Sequence, residues 1–259
     1  MNNNKDKQLY FFKLIPNMVS LLALCFGISS IKMAYSGHFM IAVTFILIAC
    51  FLDGIDGRIA RFLNVSSDFG LQIDSLADVV NFGVAPGFVV YCWKMNEIGL
   101  DILSWSVVLM LGCCMALRLA RFNVAAKIDD KENPLVKYFF TGMPAPAVAC
   151  MVIFPVILSF QFGYGFFSSS IFVVFNTLIM ALFAASTIPT PCLKKIKISD
   201  KYKHLVLIVA SLWLILLVIE PWLALSILGM LYVISIIIGI FVFMSFKKNQ
   251  NKNKKWYAR

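Results

Sequence analysis

A chain of 259 residues that is 61% hydrophobic and only 14% charged, with a mean hydropathy of +0.86, is too apolar for a water-soluble domain of its length. Its formal net charge of +10 raises nucleic acid as a partner, but the basic residues alternate with apolar segments and form no aromatic-interleaved surface outside them. The expectation is an all-α, polytopic integral membrane bundle with lipid at its basic margins and no nucleic-acid partner.

In chain order, residues 1–15 read as a cytosolic or interfacial arm with Lys5, Lys7 and Lys13 around the cluster Tyr10-Phe11-Phe12. The first apolar segment runs from Pro16 to Tyr35. Its charged start resembles that of a signal peptide, but the run is long, no A-x-A site follows and more spans come after it, so cleavage is not expected. Asn17 and Ser20 open this helix, where capping is the plain reading of both. The second segment, His38 to Phe62, has 25 residues. At ~1.5 Å per residue it exceeds a ~30 Å hydrocarbon core, so its far end, with Asp53, Asp56, Arg58 and Arg61, reaches headgroup depth.

The third segment, Asp74 to Trp93, starts at that same surface, and Gly83, Pro86 and Gly87 within it suggest close packing or a bend. A fourth, Leu100 to Phe122, ends in Arg118, Arg121 and Asn123 and leads into the polar loop Ala125 to Lys137. Pro144 to Phe162 and Ser168 to Ile188 follow as the fifth and sixth. A basic loop, Lys194 to Lys203, precedes Leu205 to Ile219 and Trp222 to Phe246. The lysine-rich tail is expected to be disordered. This divides the chain into the arm, a core of six spans over 16–190, the basic loop with two further spans over 191–246, and the tail 247–259.

About eight spans put both termini on one side of the membrane. Of the 23 Lys and Arg, Lys32 and Lys94 are the two that fall opposite, so both termini are expected in the cytosol. The seven cysteines show no CxxC spacing and lie in or beside apolar runs, which suits small core residues better than disulfides or zinc ligands. The two histidines, His38 and His204, are too far apart in sequence for a histidine-based metal site.

Polar residues break the apolar pattern between 53 and 78. Asp53, Asp56, Gly57, Ala60 and Arg61 share one helical face, and Asp74 and Asp78, four apart, share another. Two antiparallel helices joined by a bend over Val65 to Phe69 would bring four carboxylates together. Each charge in a membrane helix costs roughly 2.5 to 3.5 kcal/mol, less near the interface, so four in one place mark a functional site. Like charges so close repel one another, and a hard divalent cation with all-oxygen ligands, Mg²⁺ or Mn²⁺, removes the conflict. Intramembrane carboxylates also mark ion paths, so a cation transporter is the reading from another class. Against it, the acids cluster at one surface and the two halves show no repeat.

The pattern D-x-x-D-G-x-x-A-R-x8-G-x3-D-x3-D, filled by Asp53, Asp56, Gly57, Ala60, Arg61, Gly70, Asp74 and Asp78, resembles that of the CDP-alcohol phosphatidyltransferases. The stretches Asp74 to Pro86, Ala116 to Asn123 and Phe140 to Pro146 are similar to the phosphatidylserine synthase branch, and the likeness covers roughly residues 15 to 190. It implies transfer of a phosphatidyl group from CDP-diacylglycerol to the hydroxyl of L-serine, with CMP released, in the cytoplasmic membrane at its cytosolic leaflet. Asp53, Asp56, Asp74 and Asp78 are then expected to hold one or two divalent ions, with Asp78 also the general base. Gly57, Ala60, Arg61, Gly70, Asn17 and Ser20 would line the CDP and phosphate pocket, and Arg118, Arg121 and Asn81 are the candidates for binding serine. A homodimer is implied by the resemblance alone. The runner-up acceptors are glycerol 3-phosphate, inositol phosphate and choline.

Overall fold

Away from water, every backbone N–H and C=O must find its partner within the chain, and the apolar runs meet that demand as helices. The structure is a computed structural model that describes residues 3–62, 67–127, 139–186, 189–191 and 203–257. Its helices are α1 (Asn3–Tyr35), α2 (Phe39–Phe62), α3 (Asp68–Asp78), α4 (Ala85–Trp93), α5 (Asp101–Lys127), α6 (Ala145–Phe162), α7 (Ser170–Ala185), α8 (Lys203–Ile219) and α9 (Pro221–Tyr257). A π-helical segment, Val79–Val84, joins α3 to α4 without a break. The all-α expectation holds, with the addition of two three-residue strands, β1 (Phe139–Thr141) and β2 (Pro189–Pro191), paired antiparallel.

Among the described residues six helical stretches are long and apolar enough to cross a membrane: Ile15–Tyr35, Phe39–Ile59, Asp68–Trp93, Asp101–Val124, Ala145–Phe162 and Pro221–Gly239. Ser170–Ala185 and Lys203–Ile219 are apolar but shorter. Leu21, Phe51, Leu109 and Phe175 are among the many large apolar side chains on the exterior, a surface that suits lipid and not water. The chain is an integral membrane protein.

The elements fall into two compact units, one holding α1 to α7 and the other the β1–β2 ribbon with α8 and α9. In the first, α1 and α2 form a hairpin through Gly37, whose φ of 80° sits in the left-handed region open to glycine. Ala23, Ala34, Ala42, Val43, Ile46 and Ala49 are fully buried there, and Phe26 meets Phe45 edge to face at 5.5 Å. Small side chains let two helix backbones approach closely where no hydrophobic drive separates protein from lipid. The same device seats α5 on the next segment: a Cβ at Gly83 would stand 3.0 Å from Met115 Cβ and 3.4 Å from Gly112 Cα.

The π segment has a local cause in Pro86. Proline offers no N–H to the carbonyl four residues back, and its ring crowds that carbonyl. Widening the turn keeps the ladder going, and the Ala85 N–H donates to Val80 O, five residues earlier. The expectation of close packing or a bend around Gly83, Pro86 and Gly87 is thus met by a wide turn together with close packing.

Four expectations need adjustment. The third apolar segment starts at Asp68, six residues before Asp74, because the Ser67 side chain accepts from the Gly70 N–H at 3.0 Å and caps the helix there. The arm is helical from Asn3. At the other end α9 continues to Tyr257 through the lysine-rich stretch expected to be disordered. Six cysteines are free thiols, of which Cys25 and Cys113 are exposed and not core residues; Cys192 lies outside the described residues.

Candidate metal centre and active site

Asp53 and Asp56 are one turn apart on α2, and Asp74 and Asp78 are one turn apart on α3, so each pair projects from one face of its helix. The two faces meet. Carboxylate oxygens of Asp53, Asp56 and Asp74 lie within 4.8 Å of one another, with Asp56 buried and the other two half-buried. The Asp78 carboxyl stands outside that triangle, beside that of Asp53. Three oxygen donors at this separation, with a fourth carboxylate beside them, fit a hard cation by both geometry and donor chemistry.

Helix α1 supports this wall from behind. The buried Ser20 hydroxyl donates to Asp56 Oδ2 at 2.7 Å and lies 3.2 Å from Pro16 O, so one hydroxyl fixes the orientation of a carboxylate. Ser20 was expected to line the nucleotide pocket, and its hydroxyl is turned to Asp56. Asn17, one turn earlier, comes against the start of α3: a Cβ at Gly70 would lie 2.7 Å from Asn17 Oδ1. A side chain at position 70 would have to displace the Asn17 carboxamide. Gly57 faces open space, since a Cβ there would meet only the Arg61 guanidinium, at 4.0 Å. Arg61 folds back over it, its Nε donating to Gly57 O at 2.8 Å. Ala60 lies on α2 with its side chain outside what the structure describes.

The residues expected to take serine are distributed differently. Arg118 is half-buried on α5, whereas Arg121 is exposed and its Nη2 donates to Ala185 O, the last residue of α7, at 2.5 Å. The final carbonyls of a helix lack intrahelical donors and carry the negative end of its dipole, so a guanidinium there is a stabilising cap. Asn81, in the π segment one turn beyond Asp78, is 1% exposed, and neither end of its carboxamide has a protein partner among the described residues. It packs against α1 at Gly27, where a Cβ would collide with its Oδ1.

Two contacts carry no spacing signal that would have revealed them. One is the notch at Gly27. The other is a hydrogen bond from Asn123 Nδ2 to Ser75 Oγ at 2.8 Å, which joins the end of α5 to the acidic helix.

An apolar helical bundle whose two adjoining helices present a carboxylate cluster defines a membrane protein with an oxygen-lined cation pocket. The chain belongs to the CDP-alcohol phosphatidyltransferase family, whose sequence model matches residues 13–189. Membership makes it a phosphatidyltransferase of phospholipid synthesis, in a family that depends in general on divalent metal ions. It is 37% identical over 201 residues to the CDP-diacylglycerol--serine O-phosphatidyltransferase of Mycobacterium tuberculosis H37Rv, covering 77% of this chain and 68% of that one. Its likeness to the Helicobacter pylori 26695 protein of the same name is 36% over 250 residues, 95% of this chain and 98% of that one. An archaetidylserine synthase from Methanothermobacter thermautotrophicus is 32% identical over 149 residues, 57% of this chain and 59% of its own.

Proposed function

We propose that this protein is a phosphatidylserine synthase, transferring the phosphatidyl group of CDP-diacylglycerol to the hydroxyl of L-serine and releasing CMP. The observation that carries the reading is the meeting of Asp53, Asp56 and Asp74 within 4.8 Å, with Asp78 against Asp53. Serine as acceptor is supported by the names of the mycobacterial and Helicobacter relatives.

Asp78 takes the proton of the serine hydroxyl as that oxygen attacks the lipid-side phosphorus. The new bond is phosphorus to serine oxygen; the bond that breaks is phosphorus to the CMP oxygen, in line with it. One displacement suffices, so no covalent enzyme intermediate is required. Asp53, Asp56 and Asp74, with Asp78 as a further ligand, would hold one or two divalent ions, Mg²⁺ or Mn²⁺, whose positive charge would neutralise phosphate oxygens. Arg61 meets phosphate by charge-assisted hydrogen bonds, and the open flank of Gly57 gives the nucleotide room to lie along α2, where Ala60 follows one turn on. Asn17, Ser20 and Gly70 close the nucleotide end of the pocket, Ser20 by holding Asp56 in place. Arg118 and Arg121 pair with the serine carboxylate, and Asn81, whose buried amide lacks a protein partner among the described residues, supplies polar contacts on the acceptor side.

The pocket opens at the cytosolic leaflet of the cytoplasmic membrane, where the lipid substrate arrives without leaving the bilayer; residues 16–190 carry the chemistry, and the protein works as a homodimer. The deciding experiment gives purified protein CDP-diacylglycerol and Mn²⁺ with L-serine, glycerol 3-phosphate, inositol phosphate or choline in turn, and follows CMP. Release with serine alone is expected. Release with another acceptor in its place moves the protein to a different branch, and no release with any of them favours ion transport.

A further inference from the structure

Helix α5 runs antiparallel to the α3–π–α4 segment, and the seam between them has a regular register. Gly83 meets Met115 and Gly112, and Gly87 meets Val108, whose Cγ1 a Cβ at 87 would approach to 3.1 Å. Ser75 lies eight residues before Gly83 and Asn123 eight after Met115, so the Asn123–Ser75 hydrogen bond lies further along the same seam. Its character is different. The contacts at Gly83 and Gly87 are apolar and non-directional, whereas an amide donating to a hydroxyl at 2.8 Å fixes direction and distance. The Ser75 hydroxyl gives its own proton to Leu71 O at 2.9 Å, which leaves its lone pairs turned to Asn123.

The position of this bond gives it consequence. Ser75 follows Asp74 directly and precedes Asp78 by three residues, while Asn123 follows Arg121 by two and Arg118 by five. We propose that the Asn123–Ser75 pair is a positioning device that sets the end of α5 against the acidic helix, and so fixes where the acceptor sits relative to the group that takes its proton. The proposal rests on the reading of the α5 end as the acceptor side. Neither residue touches substrate; both act through the elements they join. A misplacement of the acceptor by an ångström is enough to cost one to two orders of magnitude in an in-line transfer.

The test uses the full chain, purified, with CMP release measured while serine is varied at saturating CDP-diacylglycerol and the reverse. Asn123→Ala and Ser75→Ala are each expected to lower kcat about tenfold, with a rise in the serine KM, and to leave the CDP-diacylglycerol KM within about twofold. The double variant should be no worse than the poorer single one, because the second change removes a bond already lost. Ser75→Thr, which keeps the hydroxyl, should stay within about twofold of the parent. Additive losses in the double variant, equal rises in both KM values, or a Ser75→Thr protein as poor as Ser75→Ala would overturn the proposal. Should Asn123→Ala fail to fold, Ser75→Ala against Ser75→Thr decides, since that pair differs by whether a hydroxyl is present. An unaltered protein that releases no CMP with serine fails the functional reading, whereas an active one with additive variants fails this inference alone.

Discussion

The acidic pocket and the basic end of α5 both place charge at the end of a membrane helix, yet the protein treats them in opposite ways. In the pocket the carboxylates of Asp53, Asp56 and Asp74 face one another, an arrangement that destabilises the fold unless a cation joins it. At the end of α5, Arg121 meets the terminal carbonyl of α7, and the fold by itself gains from the contact. Like charges brought together therefore point to a ligand, whereas a terminal arginine can be explained by packing and must be separated from function by measurement.

Asp78→Asn breaks the comparison at its strongest point. Removing the base while keeping the shape should lower kcat about a thousandfold with little change in stability, and a variant retaining most of its CMP release would take Asp78 out of the proton transfer. Arg121→Ala asks whether the basic end serves substrate or only α7. If the guanidinium pairs with the serine carboxylate, the serine KM should rise roughly thirtyfold while that for CDP-diacylglycerol hardly moves; parallel changes in both would leave it a helix cap.

Gly27→Ala probes the ground between the two regions. Its methyl would land 2.0 Å from Asn81 Oδ1, and overpacking of this kind should destabilise the fold by about 2 kcal/mol, read from thermal unfolding in detergent. Adding Asn81→Ala should recover most of that loss, and no recovery would mean that the clash lies elsewhere. The mildest effect is expected of Ser20→Ala. Without its hydroxyl on Asp56, the Mn²⁺ concentration for half-maximal activity, and that for half-maximal metal-induced thermal stabilisation, should both rise about tenfold. An unchanged metal requirement with a weaker hold on CDP-diacylglycerol would return Ser20 to the nucleotide.

The apolar segments were legible because lipid imposes one rule on them, and the observed helices end within a few residues of the expected positions at most boundaries. The carboxylates were legible because their cost in a membrane leaves few explanations. The start of α3 precedes the motif, and its signal stands in the sequence: Ser67 is a preferred N-cap residue and Asp68 puts a negative charge in the first turn. The partners of Arg121, Asn123 and Asn81 were not legible, since each joins elements distant along the chain and depends on how one helix lies against another. Serine 75, for example, looks like any small polar residue until α5 is placed beside it.

The wide turn at Val79–Val84 also governs the rotational phase of everything after it. An α-helix advances about 100° per residue and the wide turn absorbs one residue, so winding the same residues as regular α-helix would swing α4 about its axis by that angle relative to Asp74 and Asp78. Gly87 would turn away from Val108, and a bulkier neighbour would take its place on the seam. The irregular turn is thus what allows one continuous rod to present acids at its beginning and glycines further along, each toward the correct partner.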